Sequence, residues 1–253
     1  MGAEQIFDWA GAAASTLEWW ETAGADVVVG DEAFDWLATA EPEVVAAQTN
    51  RSAPQFEAHG ALVTVPPRPL VIPPTLEAFL AWRVGPDAPE AAWGAPLFPA
   101  SGPSTADLMI LIDCPDREDR DGLLTGETAR LFDRMLAAIG RSRADVHLAT
   151  IAAARPSAGR LPREQQDELF AIARHHVALL APKRLLMLGN AASRALLSAD
   201  VADARGRLHS LDHKGGKRTE AVASYHPRLL RERPIAKAEA WRDLQLLVRG
   251  MQA

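Results

Sequence analysis

A set of polar residues in the second half of the chain has the types that acid–base chemistry uses. Each follows an apolar run of strand length: Asp113, Thr150 with the nearby Arg155, Asn190 and His226. A carboxylate can stabilise positive charge or position water, and an imidazole can donate a hydrogen bond to a leaving oxygen. We therefore consider these five residues as candidates for one site.

The sequence signatures of several other chemistries are missing. The chain has no G-x-x-x-x-G-K-[ST] phosphate loop, no G-x-G-x-x-G after a strand and no G-x-S-x-G nucleophile elbow. His175 and His176 are adjacent, so on a helix they point to different sides and cannot form the pair of a zinc protease. Cys114 is the single cysteine, which excludes disulfides, thiolate zinc sites and cysteine-held iron–sulfur clusters. Cys114 follows a strand end like a nucleophile, but no paired base is identifiable and a small buried residue fits better.

Apolar periodicity after residue 107 predicts the elements that position the candidates. The patterns predict strands over residues 108–112, 146–152, 184–188 and 221–224, and helices over residues 128–139, 163–180, 191–197 and 235–248. Strands that alternate with helices and are continuously apolar predict an α/β protein with three α/β/α layers. Its central sheet would be four-stranded and mostly parallel. Ligands bind beyond the carboxyl ends of such strands, so the five candidates should surround one crevice.

Residues 1–100 differ from the rest of the chain in composition. They hold 14 Asp/Glu against 3 Lys/Arg, and six of the seven tryptophans. Periodicity predicts helices over residues 6–20 and 76–82 and a short strand at 27–29, while five prolines between 63 and 75 predict an extended connector. We predict an acidic, Trp-rich, partly helical extension with this Pro-rich connector over residues 1–100, and one domain over 101–253.

Charge in the second half of the chain is reversed. Residues 101–253 hold 24 Lys/Arg against 19 Asp/Glu, and residues 205–237 hold 9 against 3. This asymmetry indicates a polyanion partner, although a solvated basic face also explains it. No apolar run is long enough to cross a bilayer, and the amino terminus lacks the basic region of a signal peptide. We expect a cytoplasmic monomer without membrane contact.

Four segments occur in the order and spacing of a known family. They read RPSAGRLP (155–162), APKRLLMLGNAASRALL (181–197), RGRLH (205–209) and HPRLLRERPIAKAEAWRDL (226–244). They lie within residues 108–244, and this part of the chain resembles the uracil-DNA glycosylase superfamily, most nearly its family 4 branch. Residues 1–100 have no counterpart in the resemblance.

The resemblance implies a DNA repair glycosylase that hydrolyses the N-glycosidic bond of uracil or another deaminated base in single- or double-stranded DNA. Asp113 would stabilise the sugar cation and position water, and His226 would donate to the base oxygen. The implied base-binding residues are Cys114, Leu124, Thr150 and Asn190. The implied DNA-binding residues are Arg155, Arg160, Pro227, Arg228, Leu229 and Arg231. No metal or cofactor is expected.

Several positions depart from the family pattern. The first motif, usually Gly-Glu-Gly/Ala-Pro-Gly, reads IDCPD at 112–116, which keeps an acid and loses both glycines. Leu124 stands where a phenylalanine stacks on the base, and Thr150 stands for an asparagine whose amide both donates and accepts. A nearby lysine is replaced by Ala153. We therefore expect weaker or altered base selectivity.

The family 4 branch also holds a [4Fe–4S] cluster on four cysteines. Two of those positions fall at Ala154 and Leu169, so the cluster is not expected. Our hypothesis is that the Trp-bearing amino-terminal segment takes over its structural role.

The site residues also have plainer interpretations. Asp113 could cap a following helix, His226 could brace its own loop, and Arg228 and Arg231 could be solvated charges. Three functions are therefore compared: a DNA glycosylase, a weakened or inactive DNA-binding and base-sensing protein on the same fold, and a glycosidase of free nucleosides.

Overall fold

The computed structural model describes residues 71–249, all of which lie within the unit Val65–Ala253. At its centre is a five-stranded sheet with the order β2-β1-β3-β5-β4. The strands are β1 (Leu108–Ile112), β2 (Val146–Thr150), β3 (Arg184–Leu188), β4 (His209–Asp212) and β5 (Arg218–Ser224). Four of them run parallel, and β4 pairs antiparallel with β5 at one edge.

Helices cover both faces of this sheet. The α-helices are Leu76–Arg83, Ala129–Ala138, Gln166–Leu180, Asn190–Leu197, Val201–Ala204, Pro227–Glu232 and Lys237–Val248. Short 3₁₀ turns span Pro89–Trp93, Arg143–Asp145, Arg163–Gln165 and Pro234–Ala236. Successive side chains of β1 enter opposite cores: Met109 packs with the helix Gln166–Leu180, and Ile110 packs with Ala129–Ala138. The predicted three-layer α/β/α class is confirmed.

The predicted strand count of four is wrong, because β4 is a fifth strand. Its four residues alternate between half-buried and exposed, as an edge strand with one wet face does. Such a short segment contains no apolar run for a sequence pattern to detect. The helices Val201–Ala204 and Pro227–Glu232 were also not predicted, because each is too short to show a 3.6-residue period.

Residues 71–100 pack against the sheet domain. Phe79, on the predicted helix near residues 76–82, is fully buried in the same core cluster as Met109 and Ile172. The predicted domain boundary at residue 100 stays a prediction, and the predicted helix over 6–20 and strand at 27–29 lie outside the described residues. Within residues 71–249, no helix has the length and apolarity needed to cross a membrane.

Candidate active site at the carboxyl edge of the sheet

Asp113 and His226 lie close together although 113 positions separate them in the chain. Asp113 follows β1 and His226 lies two residues after β5, and β3 separates these two strands in the sheet. The His226 Nε2 atom lies 3.7 Å from the Asp113 Oδ1 atom. The imidazole is 7% exposed, and the carboxylate is 27% exposed. The parallel sheet therefore brings together an acid and a histidine where the sequence predicted a crevice.

The protonation of His226 follows from its place at a helix start. It is the N-cap of the helix Pro227–Glu232, and its Nδ1 atom accepts a hydrogen bond from the Arg228 backbone N–H at 3.2 Å. Burial lowers the pKa of His226 below its ordinary value, and the Asp113 charge offsets only part of this effect. The ring is therefore neutral at pH 7, with its proton on Nε2.

The Nε2 atom of His226, on the side of the ring nearest Asp113, is an unused donor. This atom is buried and has no hydrogen-bond partner among residues 71–249. A buried donor without a partner costs free energy, about 1–3 kcal/mol, so such atoms are rare in folded proteins unless function requires them. His226 therefore presents a neutral N–H that a ligand oxygen near Asp113 can accept.

The Arg228 side chain contacts the carboxylate of Asp113. Its Nη2 atom lies 3.3 Å from both carboxylate oxygens of Asp113, and its Nε atom lies 3.3 Å from Asp116 Oδ1. Asp116 is also held by the Thr128 hydroxyl, which donates to its Oδ2 atom at 2.6 Å. The Arg228 guanidinium thus links two acids, and the phosphate contact predicted for it stays a prediction.

A buried aspartate that the sequence analysis missed organises the loop after β1. The Oδ2 atom of Asp119 accepts the backbone N–H groups of Asp116 (2.8 Å) and Leu124 (3.0 Å). Its Oδ1 atom accepts those of Thr125 (2.7 Å) and Gly126 (3.2 Å). An acid shortly before a Gly/Thr turn is a recognisable local signal, because aspartate readily accepts nearby backbone N–H groups.

Three of the four predicted base-binding residues are buried, and the fourth, Asn190, is exposed. Cys114 and Leu124 are fully buried, and Thr150 at the end of β2 is 7% exposed. Burial, followed by the Asp113 charge, raises the pKa of Cys114 to about 12, so it is a neutral thiol. Asn190 uses its Oδ1 atom to accept the Val201 N–H at 3.0 Å, at the start of a short helix. The base-binding roles of these four residues stay predictions.

Two neighbouring clefts contain three of the predicted DNA-binding residues, Arg155, Arg228 and Arg231. The larger has a volume of about 720 Å³ and the smaller about 120 Å³, and Asp116, Arg117 and Arg155 line both. Arg228 and Arg231 line only the smaller cleft. Five arginines and four acidic residues line the two clefts, so the lining carries mixed charge, and most of its cations contact neighbouring groups.

Those contacts and the surroundings of the remaining predicted DNA-binding residues are specific. Arg155 donates to the Pro115 carbonyl at 2.9 Å, and Arg231 forms an ion pair with Glu127. Arg160 is exposed, Leu229 is half-buried and Pro227 is buried at the first position of its helix. Their contacts with DNA stay predictions.

The donor set does not fit the iron–sulfur cluster of the family that the sequence resembles. Ala154 and Leu169 occupy two of the cysteine positions, and both are fully buried. Cys114 is the single cysteine of the whole chain, and four thiolates are needed. Within residues 71–249, no group of three His, Cys, Asp or Glu side chains could hold a metal ion.

Comparison with known proteins shows which family the chain is similar to. Residues 99–245 match the family model of the uracil DNA glycosylase superfamily. The type-4 uracil-DNA glycosylase of Pyrobaculum aerophilum is 25% identical over 161 residues, which cover 60% of this chain and 82% of that protein. The enzyme of the same name from Archaeoglobus fulgidus is 24% identical over 156 residues, covering 58% and 78%. The matched region contains the sheet, Asp113 and His226.

Proposed function

This chain belongs to the uracil-DNA glycosylase superfamily, and from that premise we propose that it hydrolyses the N-glycosidic bond of uracil or another deaminated base in DNA, leaving an abasic site. The observation that carries the proposal is the Asp113–His226 pair, 3.7 Å apart at the carboxyl edge of the sheet. The pair offers a negative oxygen and a neutral N–H donor to the same small space. These are the two kinds of group that the reaction needs, one for the sugar and one for the leaving base.

His226 acts on the leaving base. When the bond between the sugar carbon and the base nitrogen breaks, its electron pair goes to the base, and negative charge develops on a base oxygen. The Nε2–H of His226 donates to that oxygen, and the bond strengthens as the charge grows. Because the Arg228 backbone N–H occupies Nδ1, the imidazole has only this one donor and a defined direction.

Asp113 acts on the sugar. The sugar carbon becomes positively charged as the base leaves, and the carboxylate stabilises that charge. A water held by Asp113 then forms the new carbon–oxygen bond and transfers its proton to the carboxylate. Arg228 touches both oxygens, but each carboxylate oxygen has two lone pairs, so each can still accept a hydrogen bond from water.

The segment after His226 is suited to DNA. Base removal from a duplex requires the nucleotide to leave the stack, which costs a few kcal/mol. Leu229 can fill the gap left by the base, while Arg231 and the exposed Arg160 contact phosphates. The basic excess of residues 205–237 supports this polyanion partner. The cytoplasmic location and the monomeric state stay predictions from the sequence.

Excision from labelled oligonucleotides tests the proposal. The substrates carry uracil, hypoxanthine or xanthine in single strands and opposite each base, and cleavage is read after alkali treatment. His226→Asn is the sharper variant, because asparagine still caps a helix but has no ring N–H. We expect a single-turnover rate about 100- to 1,000-fold lower, as for loss of one such donor. Asp113→Asn should also slow excision, and His175→Ala, on the helix Gln166–Leu180, serves as the histidine control.

A second function is favoured by one observation. The Arg228 guanidinium lies against both Asp113 oxygens, which would otherwise orient water, so the same fold can bind DNA or sense a base without excising it. Salt-sensitive DNA binding without release of any of the three bases, in the wild-type chain, would establish this second function. Wild-type rates that His226→Asn and Asp113→Asn leave unchanged would reject the roles assigned to both residues. Hydrolysis of free nucleosides without action on DNA would instead indicate a nucleosidase.

A further inference from the structure

We propose that residues 76–98 form a clasp that positions the loop 151–154, and through it the end of β1 that carries Asp113, with Arg83 and Glu90 as the positioning residues. The effect of the clasp on base excision rests on the function proposed above. The effect of the clasp on the position of the loop does not rest on that function, so loop order and excision rate can be measured separately.

The centre of the clasp is a buried ion pair. Arg83 Nη1 lies 2.7 Å from Glu90 Oε2, and the two side chains are 7% and 0% exposed. Each partner also reaches the loop: Arg83 Nη2 donates to the Ile151 carbonyl at 2.7 Å, and Glu90 Oε1 accepts the Ala153 N–H at 2.8 Å. Two oppositely charged groups thus hold one carbonyl and one N–H of the same short loop.

The strand-like end of the clasp and its tryptophan add further contacts. The Phe98 N–H donates to the Ala153 carbonyl at 2.8 Å, and Leu97 forms an antiparallel bridge with Ala154. Trp93 donates its ring N–H to Gln165 Oε1 at 3.0 Å, near the start of the helix Gln166–Leu180. The clasp therefore holds the loop at both main-chain groups of Ala153.

The other side of the loop is bonded directly to the catalytic strand end. The Ile151 N–H donates to the Ile112 carbonyl at 2.9 Å, and the Ala152 N–H donates to the Asp113 carbonyl at 3.0 Å. The loop thus lies between the clasp and the backbone of Asp113. A shift of the loop would move Asp113, and Thr150, which immediately precedes it, would move as well.

Burial explains why the loop needs such partners. Residues 151–154 are at most 2% exposed although they lie outside any helix or strand. Backbone groups that are buried outside secondary structure must find other hydrogen-bond partners, because water cannot reach them. A charged acceptor and a charged donor make stronger bonds than neutral groups, so they hold the loop in one arrangement.

The clasp stands where the family's iron–sulfur cluster does not fit. Ala154 occupies one of the cysteine positions and is bridged to Leu97, and Leu169 occupies another in the helix that follows Gln165. The clasp residues Leu97 and Trp93 therefore make contacts in a region where this chain has no cysteine to hold a cluster. This gives a specific form to the hypothesis that the amino-terminal side of the chain takes over a structural role.

Variants of Glu90 separate positioning from stability in the full chain. Glu90→Gln keeps an oxygen that can accept the Ala153 N–H, whereas Glu90→Ala removes it. The control is Glu220→Gln, which breaks the ion pair with the nearly buried Arg184 at the opposite end of the sheet. Arg83→Lys is a milder second variant. It keeps the positive charge, but lysine lacks the planar guanidinium that lets Arg83 bond Glu90 and the Ile151 carbonyl at the same time.

Amide hydrogen exchange is the first readout and requires no activity. We expect Glu90→Ala and Arg83→Lys to increase exchange selectively at Ile151, Ala152 and Ala153. Glu90→Gln should cause a smaller increase, because it keeps the acceptor for the Ala153 N–H but loses the charge that pairs with Arg83. The Glu220→Gln control should leave these amides protected. Equal exchange at the loop in Glu90→Ala and Glu220→Gln would overturn the clasp.

The single-turnover excision rate at saturating DNA is the second readout. A displacement of about 1 Å at reacting groups can cost up to about 100-fold in rate, so we expect Glu90→Ala to lose tenfold or more and Glu90→Gln to lose less. Loop opening without any change in the excision rate would overturn positioning while leaving the glycosylase intact. A wild-type chain that excises nothing but shows the selective loop opening would reject the proposed function and support the structural clasp.

Discussion

At the scale of single residues, His226 shows how one backbone contact selects a chemistry. The Arg228 N–H occupies Nδ1, so the neutral ring is left with a donor at Nε2 that has no partner within residues 71–249. Arg228 itself then turns its guanidinium to Asp113 and Asp116. One residue therefore sets the tautomer of the histidine with its backbone and restrains the acid with its side chain.

Cys114 should be chemically inert in the folded protein. Its pKa is raised to about 12 by burial and by the Asp113 charge, and the residue is fully buried. At pH 8 only about one thiol in 10,000 is then ionised, and thiolate is the reactive form. A thiol-specific disulfide reagent should find no fast-reacting group at pH 8 in the native chain and one in denaturant. Fast reaction of the native protein would show that the Cys114 site opens.

At the scale of elements, single buried polar side chains hold irregular segments against the sheet. Asp119 does this for the loop between β1 and the helix Ala129–Ala138, and Glu90 does it for the loop after β2. In both cases a carboxylate accepts backbone N–H groups that no helix or strand satisfies. Such contacts replace secondary structure at the edge of the sheet where the candidate site lies.

Removal of the Asp119 carboxylate should destabilise the protein strongly. We expect Asp119→Ala to lower the free energy of unfolding by about 3 kcal/mol, because several N–H groups lose a charged acceptor in a nearly buried place. The matched control is Asp121→Ala, an exposed acid two residues away, which should change it by less than about 0.5 kcal/mol. Urea unfolding at pH 7 measures both. Equal values for the two variants would contradict the role of Asp119.

A buried histidine pair between β2 and the helix Gln166–Leu180 should make stability depend on pH. The Nε2 atoms of His147 and His176 lie 3.0 Å apart. Burial, with smaller effects of His147 and Arg83, lowers the pKa of His176 to about 3, and burial also lowers that of His147. Both residues are neutral at pH 7 in the folded chain.

Above the ordinary histidine pKa of about 6.5 the folded and unfolded chains bind the same number of protons at these rings. Below pH 6.5 these histidines become protonated in the unfolded chain but stay neutral in the folded chain. The free energy of unfolding therefore falls as the pH falls towards 3. The loss at His176 approaches about 1.4 kcal/mol per pH unit. Urea unfolding at pH 7, 6, 5 and 4.5 should show a shallower loss in His176→Gln than in wild type. Parallel curves would contradict the buried neutral ring.

At the scale of the whole molecule, charge is divided unequally along the chain. Residues 1–100 carry a large acidic excess, and the basic excess lies in residues 101–253. Among the described residues, four arginines line the smaller cleft together with Asp116, Glu118 and Glu127. The expectation of a polyanion partner therefore rests on the charge excess along the chain and not on the cleft lining.

Salt should weaken DNA binding by the full chain. Each phosphate contact adds about 0.7 to the slope of log affinity against log salt for a single strand. We expect Arg160→Ala to reduce that slope by roughly one contact's contribution, because Arg160 is an exposed cation among the predicted DNA-binding residues. The control is Arg134→Ala, which removes an exposed charge on the helix Ala129–Ala138. Fluorescence anisotropy between 50 and 200 mM salt, a range of about fourfold, measures the slopes. Equal slopes for wild type and Arg160→Ala would remove Arg160 from the DNA surface.

The sequence alone determined the features that depend on local pattern. The strands Leu108–Ile112 and Arg184–Leu188 have the predicted bounds, because a strand buried on both faces must be a continuous apolar run. The family and the α/β/α class were also predicted, since motif order and alternating elements are properties of the chain itself. The parallel-sheet rule placed Asp113 and His226 at one edge without any coordinates.

Only the tertiary structure decided which side chains meet within that edge. The contact of Arg228 with Asp113 spans 115 positions, and that of Glu90 with the Ala153 N–H spans 63. Such pairs depend on the order of strands in the sheet and on how helices pack over it, and no local period records either. The edge strand β4 was missed for a related reason: its partner β5, and not its own composition, makes it a strand.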